Sequence, residues 1–124
     1  MSLLLDTHVL LWLTEDDPRL GAAARAAVTS SDVVISAISL WEIAIKQAAG
    51  RLTTPPAASL LADAGVTALP LNGEHALAAG ALPTHHLDPF DRALIAQAQL
   101  EGLVLVTADR RMRQYDVALL DASR

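Results

Sequence analysis

The chain alternates short apolar runs with amphipathic or alanine-rich stretches, and most of the apolar runs stop at a polar residue. Residues 2–5 contain three consecutive leucines and read as a short, fully buried strand. Residues 7–13 follow as a helix, closed by the polar turn Thr14-Glu15-Asp16-Asp17-Pro18. The alanine-rich stretch 20–28 has strong helix propensity, and 32–36, with Val33-Val34-Ile35, is a second β-rich run. A helix is predicted over 39–49, with Gly50 as its C-cap. Residues 53–56 make a linker and helix start, and 57–64 a short helix. A third strand is predicted at 67–71, and Asn72 is a good N-cap for a helix over 73–81. After the polar loop 83–87, Asp88-Pro89 starts a helix that runs to about Leu100. Residues 103–107 form the clearest strand, with a last one at 117–120. Strands alternating with helices predict an α/β domain with a mainly parallel sheet and right-handed crossovers.

At 124 residues and 52% hydrophobic content, the chain makes one domain, 1–124, with a real core. That core must be aliphatic, because aromatics are only 3%. The absence of cysteine excludes disulfides and zinc–thiolate sites and is compatible with a reducing cytoplasm, the expected compartment. Asp6 cuts the opening apolar run short and no basic lead-in precedes it, so the start does not read as a signal peptide. No apolar stretch approaches the ~20 residues of a membrane span. A net charge of −5 argues against nucleic acid, but two bound divalent ions would bring it to −1.

The acids change the picture most. Asp6 ends the first apolar run, and Asp109 closely follows the last long one. Glu42 lies within Ile38-Ser39-Leu40-Trp41-Glu42-Ile43-Ala44-Ile45, and Asp91 opens Asp91-Arg92-Ala93-Leu94-Ile95-Ala96. Carboxylates against buried segments cost free energy unless compensated. In open α/β sheets the carboxyl ends of the strands converge on one crevice, where such acids can meet and call for a divalent cation. Each acid also has an ordinary reading. Asp6 could simply end a strand, and Asp109 could cap the turn that follows. Glu42 stands three residues after Ser39, the capping-box spacing. Asp91 falls at the third helical position, where a carboxylate favours the helix dipole, and Asp88 reads as the N-cap before Pro89.

Four ordered motifs then carry a family resemblance. They are Leu5-Asp6-Thr7-His8-Val9-Leu10-Leu11-Trp12 and Ser36-Ala37-Ile38-Ser39-Leu40-Trp41-Glu42-Ile43, then Asp88-Pro89-Phe90-Asp91-Arg92-Ala93-Leu94-Ile95-Ala96-Gln97-Ala98, and Leu105-Val106-Thr107-Ala108-Asp109. Together the chain resembles a PIN domain, and within that superfamily the VapC-type toxins of bacterial toxin–antitoxin pairs. The resemblance implies a three-layer α/β/α domain and a ribonuclease whose metal-binding acids are Asp6, Glu42, Asp91 and Asp109. It also implies a homodimer and a cognate antitoxin partner, whose tail would sit in an apolar groove. The segment 84–88 matches less closely, so Asp88, His85 and His86 are carried over less firmly.

Hard oxygen ligands select Mg²⁺ or Mn²⁺ rather than zinc. Asp6 is expected as a direct ligand, with Asp91 and Asp109 sharing direct and water-mediated contacts. Glu42 would hold the outer shell or position water. Thr107 either orients a carboxylate or binds metal-bound water, or is simply a β-former. Arg92 could pair with a site carboxylate or a phosphate. Arg110, Arg111 and Arg113 either make a solvated face or grip RNA backbone at the rim, with Lys46 and Arg51 as weaker candidates. His86 is a candidate substrate contact, and His8 reads as structural or rim-lining. Three other readings compete. An aspartate-based phosphohydrolase usually carries a second Asp two residues after the first, where His8 stands. A receiver-like domain wants a late strand-end lysine, and the single lysine, Lys46, lies mid-helix. A non-catalytic interaction module would use the acids as caps alone.

Overall fold

The computed structural model describes residues 1–53, 59, 60, 62 and 68–124. In chain order the elements are β1 (Ser2–Leu5), α1 (Thr7–Thr14), α2 (Ala22–Ser30), β2 (Asp32–Ser36), α3 (Ala37–Ala48), β3 (Ala68–Leu69), α4 (Gly73–Ala81), α5 (Pro89–Glu101), β4 (Val104–Thr107), a 3₁₀ turn (Arg110–Gln114) and β5 (Leu119–Asp121). Most of the predicted linker at 53–56 and helix at 57–64 lies outside the described residues, as does part of the strand predicted at 67–71.

The strands form one sheet in the order β3-β2-β1-β4-β5, and every neighbouring pair is parallel. Successive residues of a strand face opposite sides, and here both sides are covered, so the central strands are apolar throughout. Leu3 and Leu5 of β1 face one core with Val9, Leu10, Ala24, Val28 and Ile43, from α1, α2 and α3. Leu4 faces the other, with Leu94, Ile95 and Ala98 of α5 and with Leu105 of β4. Helices on both faces of a parallel sheet give the three-layer arrangement. From β1 the chain builds outward to β2 and β3, then returns to place β4 on the other side of β1. The order therefore reverses beside β1, and the carboxyl ends of β1 and β4 open a crevice there.

Local signals explain most boundaries, and two corrections follow. Helix α3 starts two residues earlier than predicted because Ser36, not Ser39, is its N-cap; the Ser36 hydroxyl accepts the Ile38 N–H at 3.0 Å. That removes the capping-box reading of Glu42. The last strand is β5, Leu119–Asp121, rather than 117–120, its register set by pairing with Leu105–Thr107 of β4. Asn72 caps α4 as expected, reciprocated by His75, and Asp88 caps α5 with Pro89 following it. Among the described residues no helix is long and apolar enough to cross a membrane.

Candidate metal centre

The four acids expected from the sequence line one small cavity of about 190 Å³ at the switch point, with Thr7, His8, Leu11, Lys46, Asp88 and Arg111. Asp6 stands at the end of β1, where its own N–H extends the ladder to Val106 O at 3.0 Å. Its carboxylate is nearly inaccessible and held from two sides. One oxygen accepts the Thr7 N–H at 2.7 Å, and the other accepts the Thr107 hydroxyl at 2.7 Å. Thr107 Oγ1 in turn accepts the Asp109 N–H at 3.0 Å, so a single hydroxyl links two of the acids. This orienting role is one of those open to Thr107 in the sequence.

His8 reaches over the same acid. Its Nε2 accepts the Ala108 N–H at 3.1 Å, which leaves the ring proton on Nδ1, 3.5 Å from Asp6 Oδ2. Even so, burial pushes the Asp6 carboxyl above the ordinary range; His8, Thr107 and Thr7 pull it down, and the Glu42 charge adds to the rise. Glu42, on the second turn of α3, pairs with Lys46 one turn later at 3.2 Å. A bond from the Thr7 hydroxyl to buried Ser39 at 3.1 Å ties α1 to the helix that carries it.

Asp91 sits in the first turn of α5, behind the Asp88 cap, which accepts the Phe90 and Asp91 N–H groups at 2.9 and 3.3 Å. Its carboxyl is pushed up to about 7, first by burial and then by the charges of Asp6, Asp88, Asp109 and Glu42. Acids widely separated in sequence therefore raise one another's proton affinity, the signature of carboxylates crowded into one cleft. Asp109 is the exception. Arg111 grips it with its backbone N–H at 2.9 Å and with its guanidinium at 2.7–3.2 Å, and these bonds hold the carboxyl below the usual range.

The basic residues divide in ways the sequence does not reveal. Arg111 joins the acid cleft, and its guanidinium also lies 3.9 Å from Asp91. Arg110 and Arg113 instead line an adjoining concavity of about 520 Å³ with Arg124 and Asp121, and Arg113 pairs with Asp121 at 3.3 Å. Arg92 is a correction. Adjacent helical residues diverge by roughly 100°, and Arg92 turns away from the cleft to donate to the carbonyls of Ala79, Leu82, Pro83 and His86 at 2.9–3.3 Å. Buried, with both terminal nitrogens committed to these carbonyls, it holds no site carboxylate and is turned away from any phosphate in the cleft. His86, expected at the substrate, reaches Asp91 instead, with Nε2 3.2 Å from Oδ2. His85 lies edge-on to Tyr115. Tyr115 had no sequence signal, and the signal at Ser39 was a capping box rather than its bond to Thr7.

The donor set fits a hard divalent cation: four carboxylates around one small cleft, two of them buried and pushed upward. Among the described residues, no three His, Asp or Glu side chains are gathered closely enough to hold an ion as they stand. Closing the carboxylates around a cation would require side-chain movements, and Arg111 occupies the Asp109 oxygens that would take part.

An all-parallel three-layer domain with clustered acids at its switch point defines a class of acidic-cleft α/β proteins. A PIN domain model matches residues 3–118, and the chain belongs to that family. It is 36% identical over 120 residues, 92% of each protein, to Ribonuclease VapC22 of Mycobacterium tuberculosis. Two solved structures share the fold at low identity. They are VapBC2 from Rickettsia felis bound to a promoter DNA fragment (TM-score 0.71, 15% identity, 98% of both chains) and a toxin–antitoxin complex from Klebsiella pneumoniae (TM-score 0.68, 20% identity, 96% of both chains).

Proposed function

We propose that this protein is a Mg²⁺- or Mn²⁺-dependent endoribonuclease that acts as a translation-inhibiting toxin neutralised by a cognate antitoxin. The observation that carries the reading is that Asp6, Glu42, Asp91 and Asp109 line one small cleft at the switch point, where burial and neighbouring acids push the Asp6 and Asp91 carboxyls up. The similarity to a protein named as a ribonuclease supports RNA as the substrate. The toxin–antitoxin complexes that share the fold support a protein partner. A homodimer belongs to the same reading.

Hydrolysis adds water across a P–O bond, so the site must hold the phosphate, orient the water and offset the growing negative charge. A divalent ion bound to the acids would lower the pKa of a water and stabilise charge on the phosphate. Asp6 and Asp91 would hold it, with Asp109 joining once Arg111 lets go. Thr107 and the Thr7 N–H fix the Asp6 rotamer, and His8 keeps its Nδ1–H towards the same carboxylate. Glu42, steadied by Lys46, would order water beside the other acids. Arg111, once released, and Arg110 and Arg113 in the adjoining concavity supply positive charge for the RNA backbone. Purified, antitoxin-free protein incubated with total RNA tests the proposal. Cleavage with Mg²⁺ or Mn²⁺ that EDTA abolishes is expected; intact RNA under every condition overturns it.

A further inference from the structure

The His86 side chain is 7% exposed and bridges two groups that the chemistry above does not connect. Its Nε2 lies 3.2 Å from Asp91 Oδ2, and its Nδ1 lies 3.2 Å from the buried Tyr115 hydroxyl. We propose that His86 is a positioning residue for Asp91, its tautomer set by Tyr115 and its loop pinned by Arg92. The proposal rests on the reading of the acids as a metal centre, and it replaces the substrate-contact role expected of His86.

The hydrogen-bond inventory sets the tautomer. The His86 backbone N–H donates to Tyr115 Oη at 3.3 Å, so the phenol oxygen is already an acceptor. Its single proton has two acceptors, His86 O at 3.4 Å and Nδ1 at 3.2 Å, and Nδ1 is open to it because the Asp91 carboxylate opposite Nε2 can only accept and draws the ring proton there. With Nδ1 accepting, Nε2 carries the ring proton and donates to Asp91 Oδ2. His86 thereby holds one carboxylate oxygen in place, as outer-shell groups do for metal-binding carboxylates.

The loop geometry makes this possible. His86 precedes Asp91 by five residues and lies outside α5, so the chain must turn back for the two side chains to meet. Arg92 holds that turn: its four carbonyl acceptors, Ala79, Leu82, Pro83 and His86, run from the end of α4 to His86 itself. Neighbouring residues of one helix thus do separate work. Asp91 enters the cleft, and Arg92 brings His86 back against it.

The test is Mn²⁺ affinity by calorimetry on the antitoxin-free protein, with thermal melts to confirm folding. His86→Ala is expected to weaken Mn²⁺ binding by about 10- to 100-fold, the usual effect of removing such a partner. His86→Gln keeps an N–H where Nε2 was and should recover part of the loss. Tyr115→Phe keeps the ring but frees the tautomer, and should weaken binding several-fold. RNA cleavage should lose kcat with KM nearly unchanged. Wild-type affinity in His86→Ala would overturn the proposal, as would His86→Gln binding no better than the alanine variant. If His86→Ala fails to fold, His86→Gln and Tyr115→Phe against wild type carry the decision, and wild-type affinity in both overturns it. If the wild type itself binds no Mn²⁺, the metal reading of the acids falls and this proposal with it; if only the variants match a binding wild type, this proposal falls alone.

Discussion

Two parts of one cleft treat their acids in opposite ways. Asp6 and Asp91 are buried beside neutral partners and histidines, and their carboxyls are pushed upward. Asp109 sits nearer solvent, gripped by the Arg111 guanidinium, and its carboxyl is held down. The inner acids are offset only in part, with the Arg111 guanidinium no nearer than 3.9 Å to Asp91, whereas the outer acid holds that cation at 2.7 Å. On the proposed reading a divalent ion would gain most at the inner pair, and Asp109 would have to exchange a partner before joining it.

The largest effect should come from removing an inner acid. Asp6→Asn or Asp91→Asn is expected to lower metal-dependent cleavage at least ~1,000-fold, since metal-ion stabilisation is worth several kcal/mol. Both variants should keep the fold and melt at or above the metal-free wild type at pH 8, because each removes a poorly compensated buried charge. A cleaving Asp6→Asn variant would break the distinction between inner and outer acids.

The arginines sharpen the same contrast. Arg92→Ala leaves four carbonyls without their donor, and a loss of about 1–3 kcal/mol in denaturant unfolding is expected, the usual cost of leaving buried acceptors unsatisfied. Arg92→Lys should rescue little, because an ammonium cannot reproduce the planar fork. A fully stable Arg92→Ala would show that the loop is held by something else.

A smaller effect concerns pH. Asp91 titrates near 7 in the folded protein against 3.8 for an ordinary aspartate, so between these values the folded state binds more protons than the unfolded. Metal-free stability should therefore fall as pH rises from about 4 to about 7, by on the order of 2 kcal/mol after solvent screening, and then level off. Asp6 acts in the same direction and Asp109 in the opposite one, its contribution being lost only as pH falls below the ordinary carboxylate range. Asp91→Asn or saturating Mg²⁺ should flatten the slope; a slope unchanged in Asp91→Asn would contradict the assignment. The smallest effect is that of Arg111→Ala. Freeing Asp109 should raise Mn²⁺ affinity a few-fold with little change in melting temperature, and weaker Mn²⁺ binding would count against an internal competitor.

The sequence showed the sheet and the acids together because both depend on the same feature, apolar strands that stop at a junction. Leu3-Leu4-Leu5 before Asp6 and Leu103–Val106 before Asp109 place those carboxylates at strand ends by chain order alone. Asp88 and Asn72 were equally legible as caps, because capping depends on neighbours a few residues away. What failed depends on direction. Arg92 adjoins Asp91 in sequence but leaves the helix on another side. Arg110, Arg111 and Arg113 look like one basic run, yet the 3₁₀ turn sends Arg111 to the acids and its neighbours to the adjoining concavity. The spacing of Ser39 and Glu42 fitted a capping box, but α3 begins at an earlier serine and Ser39 is buried against Thr7. His86 met Asp91 only through a loop whose path no local pattern specifies.

The central claim is that the inner acids form a cation site. Crystals of the antitoxin-free protein soaked in Mn²⁺ and measured at the manganese absorption edge test it directly. An anomalous peak in contact with Asp6 and Asp91 is predicted; a cleft without one at saturating Mn²⁺, or a peak found only elsewhere, would contradict it.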